Sequence, residues 1–154
     1  MAWHSCGLGG SCVGVAYSGL LQWRTLESMS ITLSDADLDD VMRAAIEAGS
    51  GLDLSPIVQR LQVDRRDLLN QVALAVARRF TSNSRDFEFC DEVMNGLIGV
   101  IVDLSLHGHM PEPAFSIYQA FDAGEYCHHG DPREVCPWET YTRPELERIL
   151  AAVE

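Results

Sequence analysis

From Ser30 onward apolar residues recur at helical spacing, and the breaks between runs hold residues that start or stop helices. Leu38, Val41, Met42, Ala45 and Ile46 form one apolar stripe on a first helix. Ser34, with Asp37 three residues on, offers an oxygen to the early amides and a charge to the positive end of the dipole, and Gly49 can end the helix. Ser55 before Pro56 predicts a short second helix that buries Ile57, Val58 and Leu61. Asp64 and Asp67 cap a third, striped by Leu68, Leu69, Val72, Val76 and Phe80, with Arg78 and Arg79 near its negative end. Thr81 to Ser84 reads as a loop.

The widest stripe runs through Cys90, Val93, Met94, Leu97, Ile98, Ile101, Val102 and Ser105 and predicts a fourth helix from Asp86 to about Leu106. A stripe this wide belongs at the centre of a helical core. Gly96 and Gly99 inside it each cost about 1 kcal/mol against Ala, so another helix is expected to approach closely there. A fifth helix is predicted from Pro113 through Phe115, Tyr118 and Phe121 to Gly124. Residues 125–141, broken by Gly130, Pro132 and Pro137, lack a helical period and read as a long irregular loop. Thr142 and Glu145 then suit a capping box, with Pro144 in the first turn of a final helix through Leu146, Ile149 and Leu150.

No segment alternates strictly over six residues, and no fixed-period repeat occurs. The expectation is a mainly α protein: a single compact orthogonal helical bundle of five or six helices over residues 29–154, with the fourth helix at its centre. Residues 1–28, rich in glycine and without period, are set apart as an N-terminal extension of doubtful order, and Met29 serves equally well as a start. Their first basic residue, Arg24, follows the apolar stretch Val13 to Leu21, the reverse of a secretory leader.

Charge narrows the range of partners. The chain of 154 residues carries a net charge of −12, and all 11 of its basic residues are arginine. Residues 29–80 hold 8 acids and 6 arginines, whereas residues 81–154 hold 14 acids and 4 arginines. Such a molecule repels phosphate and anionic lipid unless its arginines gather on one face. Five cysteines, at 6, 12, 90, 127 and 136, are odd in number and widely spread, which points to reduced thiols and a cytoplasmic protein. No apolar run is long enough to span a membrane.

Four constellations carry candidate chemistry. Residues 55–76 resemble the helix-turn-helix of bacterial DNA-binding regulators: a short helix, a tight turn before Val63, and a second helix presenting Arg65, Arg66, Asn70 and Gln71 outward to phosphates and base edges. The segment departs from that motif at Val58, where a small residue is usual, and at Gln62, where a glycine is usual. Cys127, His128 and Cys136, with His107 and His109 further off, are the donor types of zinc, but no C-x-x-C pair occurs and no metal is expected. Asp122, Glu125, Cys127 and His128 form a nucleophile and acid–base inventory; without any catalytic or cofactor fingerprint in the chain, neither catalysis nor a cofactor is expected. The fourth is the acidic, aromatic stretch holding Asp122, Glu125, Tyr126, Asp131, Glu134 and Trp138. Concentrated negative charge steers a basic partner, and Tyr and Trp rings anchor interfaces.

The reading that follows is a non-catalytic acidic protein-binding module that uses those six residues to occupy a basic surface on a partner protein. In size and charge the chain is similar to small acidic inhibitors such as immunity proteins and antitoxins. The alternative is a DNA-binding regulator using residues 55–76. The Gly96 to Gly99 segment suits a homodimer contact as well as an intrachain one.

Overall fold

Apolar stripes and side-chain caps yield six helices in a computed structural model that describes residues 31–132 and 134–153. The expected 1–28 extension lies outside the described residues. The helices are α1 (Asp35–Ala48), α2 (Ser55–Leu61), α3 (Arg65–Thr81), α4 (Phe87–Leu106), α5 (Ala114–Gly124) and α6 (Arg143–Val153), and the described residues contain no strand.

Three helix starts are set by local chemistry. Ser34 Oγ accepts from the Asp37 amide, Asp64 accepts from the Arg66 and Asp67 amides, and Asp86 accepts from the Phe89 amide. Each fills one of the orphan donors that a helix leaves at its N-terminus. α2 starts differently, with Leu54 at its N-cap and no side-chain cap. Asp53 Oδ1 accepts from the Ser55 amide at 2.9 Å, while Ser55 Oγ accepts from Arg65 across the turn.

The buried stripes of α3 and α4 meet in one core. Leu68, Leu69, Val72 and Val76 of α3 and Val93, Met94, Leu97 and Ile101 of α4 are fully buried, together with Met42, Ile117, Phe121 and Leu146 from the surrounding helices. α4 packs against α1, α3 and α5, but α3 also touches α1, α5 and α6, so the two share the centre assigned to α4 alone. Gly96 explains how α1 comes so near: a Cβ there would stand 3.1 Å from the Ala45 Cα and closer still to the Ala45 carbonyl oxygen. That contact lies within the chain.

The largest departure concerns Thr142. Instead of opening α6, it ends a single π-helical turn, Trp138–Thr142, that runs straight into α6, so the irregular loop stops short of Pro137 and not at 141. Thr142 is wholly buried and its Oγ1 has no hydrogen-bond partner among the described residues. The turn packs on α5 at Gly124, where a Cβ would collide with Thr142 Oγ1 and stand 3.1 Å from the Trp138 Cα. Close packing of Trp138 and Thr142 on α5 overrides the local capping preference. No helix among the described residues is long and apolar enough to cross a membrane.

Candidate functional site: an acidic and aromatic cleft

The N-terminus of α4, the end of α5 and the π-helical turn enclose a cleft of about 840 Å³. Its apolar wall begins with Phe87, one residue past the α4 cap. The Phe87 ring meets Phe80 edge-on at 6.0 Å, lies 5.7 Å from Phe121, and stacks on Trp138 at 5.2 Å and 21°. Trp138 is 40% exposed, so its indole is both backed by Phe87 and open to solvent.

Opposite charges line different parts of the cleft. One turn into α4, Asp91 and Asn95 share a helix face, and the Asn95 Nδ2 donates to Asp91 Oδ2 at 2.9 Å and to Glu125 Oε1 at 3.3 Å. One amide thus holds together a carboxylate from α4 and one from the residue that follows α5. Burial, then the charge and hydrogen bonding of Glu125, then Asp122 and Glu92, push the Asp91 carboxyl up to about 6. The Tyr118 phenol is raised by burial and by Asp122, Glu125 and Asp91, which places it against the same negative cluster. Elsewhere in the cleft Arg143 lies 4.7 Å over the Phe80 ring and grips Glu139 through Nε at 2.6 Å and Nη2 at 3.1 Å. It also donates to the Thr81 carbonyl and to Asn83 Oδ1.

Among the described residues Asp91, Glu125 and Asp122 have no arginine within ion-pair distance. The contrast is α1, where Asp37 and Asp40 are met by Arg60 and Asp39 by Arg79. Part of the excess of acids in the second half of the sequence is thus gathered around Asp91.

Of the six residues expected to bind a partner, Glu125 and Trp138 line the cleft, and Asp122 adds its charge to the cluster. Tyr126 is 53% exposed in the adjoining loop, and Glu134 is exposed there as well. Asp131 is engaged inside the loop. It accepts the Tyr141 hydroxyl at 2.5 Å and the His128 amide at 2.8 Å, which hold its carboxyl below the usual range. Asp91, Asn95, Phe87 and Arg143 were missed by sequence reasoning. Only the Asp91 and Asn95 spacing on one helix face hinted at them.

The other candidates are placed as follows. His128 lies between the rings of Tyr126, at 5.0 Å, and Tyr141, at 4.2 Å, with Nε2 2.8 Å from the Ala123 carbonyl. A carbonyl only accepts, so this nitrogen carries a proton and serves the loop's own structure. Cys127 is exposed, Cys136 half-buried and Cys90 buried, all as free thiols. No group of three or more His, Cys, Asp or Glu side chains suited to a metal occurs among the described residues.

α2 and α3 follow one another across the short segment 62–64. Gln62 takes the left-handed conformation (φ 54°, ψ 36°) that a glycine would adopt more cheaply. The expected outward-facing side chains are engaged within the chain. Asn70 Oδ1 accepts from the Ala114 amide, Gln71 bonds the Ile31 carbonyl and the Leu33 amide, Arg66 donates to the His109 carbonyl and Arg65 to Ser55. Asn70 and Gln71 are half-buried instead of presented.

Comparison with known proteins returns no matching family model, curated protein or solved structure. The chemistry of the cleft therefore carries the functional reading by itself.

Proposed function

We propose that this chain is a non-catalytic acidic module that binds a basic surface of a partner protein in the cytoplasm, as small inhibitors and antitoxin-like proteins do. The observation that carries this reading is the set of Asp91, Glu125 and Asp122 carboxylates, without an arginine partner among the described residues, beside the open Trp138–Phe87 stack. Like charges held in one half-buried place are unfavourable, and a cation from outside removes that cost. The net charge of −12 brings such a partner in, over a range of about 8 Å at physiological salt. Trp138 and Tyr126 then supply rigid contact area that slows its departure.

Calorimetric titration with arginine- and lysine-rich peptides tests the reading. Binding should weaken as salt rises, and Asp122→Asn with Glu125→Gln should cost roughly tenfold in affinity. Asp35→Asn with Asp103→Asn removes the same charge from exposed sites elsewhere and should cost less than about twofold. Equal losses from the two pairs would mean that only the overall charge attracts, and no binding by the unmodified chain would end the proposal.

The regulator reading keeps one supporting observation, the left-handed turn at Gln62. Against it stand the internal bonds of Asn70 and Gln71 and the acidic residues Asp64 and Asp67 at the start of α3. Undetectable binding to duplex DNA at low salt removes it.

A further inference from the structure

We propose that the side chain this cleft selects from a basic partner is an arginine, its guanidinium laid on the Trp138–Phe87 stack and its N–H edge turned to Glu125 and Asp91. The inference rests on the reading of the chain as a binder of basic proteins and names the residue that is bound.

Three observations carry it. First, the wall offers an aromatic plane: Phe87 backs the Trp138 indole at 21°, and Trp138 is open to solvent. A planar guanidinium covers such a surface over its whole face, whereas a lysine ammonium touches it at a point and keeps more of its water. Second, the acceptors are fixed in advance, since Asn95 bridges the two carboxylates from α4 and from the residue that follows α5. Several acceptors in the same cleft as an aromatic face suit a donor fork, and an ammonium can use only part of them.

Third, the cleft already contains a worked instance of this arrangement. Arg143 lies over Phe80 at 4.7 Å while two of its nitrogens grip Glu139. The Trp138–Phe87 stack shares the cleft with Glu125 and Asp91, and no arginine of the described residues lies over its rings or pairs with those two acids. Charge complementarity thus identifies a cation, and the shape of the wall identifies which one. The cleft volume of about 840 Å³ leaves room for a side chain and the peptide that bears it.

Two capped peptides of equal charge, one with a central arginine in a glycine and serine sequence and the other with lysine in its place, provide the test by calorimetry on the full chain. The arginine peptide should bind roughly fivefold more tightly. Trp138→Ala should bring that ratio close to one while leaving salt-sensitive binding of both peptides, and Trp138→Phe, which keeps an aromatic face, should retain most of the preference. Glu125→Gln should weaken both peptides, and the arginine peptide more, because it removes a carboxylate that the guanidinium fork uses. Equal affinities for the two peptides in the unmodified chain, or a preference that survives Trp138→Ala in a variant with an unchanged circular dichroism spectrum, overturns arginine selection and leaves the binding of basic partners standing. Failure of both peptides and of the longer basic peptides overturns both proposals together.

Discussion

Replacing Asp91 by asparagine tests whether the cleft stores electrostatic strain. In the folded chain the Asp91 carboxyl is raised from 3.8 to about 6, first by burial and then by Glu125. A rise of that size corresponds to at most about 3 kcal/mol of penalty on the ionised form. Asp91 is only half-buried and water screens much of it, so the discounted expectation is about 1 kcal/mol. The sign follows from linkage. Below the unfolded value both states hold the proton and there is no penalty. As pH rises toward about 6 the unfolded chain has already lost its proton while the folded chain keeps it, and stability falls; above that the ionised group stays a burden. An asparagine side chain in its place would keep an acceptor for the Asn95 amide and gain a donor for Glu125. Asp91→Asn should therefore raise the unfolding free energy by about 1 kcal/mol at neutral pH and leave it nearly unchanged well below the ordinary aspartate range, read by urea denaturation with an unchanged slope. A loss of stability at neutral pH, or an equal gain at both pH values, would refute the reasoning.

Affinity for a basic peptide should fall as pH drops through about 6, because protonated Asp91 offers no charge, and a flat titration between neutral pH and that value would count against its role. Gly96→Ala and Gly124→Ala drive a methyl into the Ala45 carbonyl and into Thr142 respectively, and each should cost about 1–3 kcal/mol by urea denaturation. Thr142→Val replaces an unpartnered buried hydroxyl by a methyl and should stabilise by about 1 kcal/mol; a loss would show that the hydroxyl has a partner. Cys90, whose thiol burial pushes up to about 12, should resist alkylation in the folded chain while exposed Cys127 reacts, as mass spectrometry of the labelled protein can read.

The sequence made the helices legible wherever their causes are local. Ser34, Asp64 and Asp86 cap their helices through amides two or three residues away, and the α3 and α4 stripes face the core as their spacing requires. Gly96 was also readable, because a glycine in a strong helix has few uses besides close approach. Thr142 misled because its fate is decided by Gly124 on another helix, a contact no local pattern records. The cleft was half legible. Glu125 and Trp138 stood out by type, but Asp91 gains its meaning from Glu125, a helix away, through an Asn95 bridge that spans 30 residues. Asp131 looked available and is instead spent on Tyr141, ten positions further along, a choice that only the folded loop makes. Asn70 and Gln71 were drawn inward in the same way by backbone groups some forty residues distant.

The most direct test follows amide shifts in the nitrogen-15-labelled chain as an arginine-rich peptide is added. Docking in the cleft predicts the largest changes at Phe87 to Asn95, Asp122 to Tyr126 and Trp138 to Arg143, including the Trp138 indole N–H. Changes spread along α1 at Asp35 to Asp40, with the indole unmoved, would contradict it.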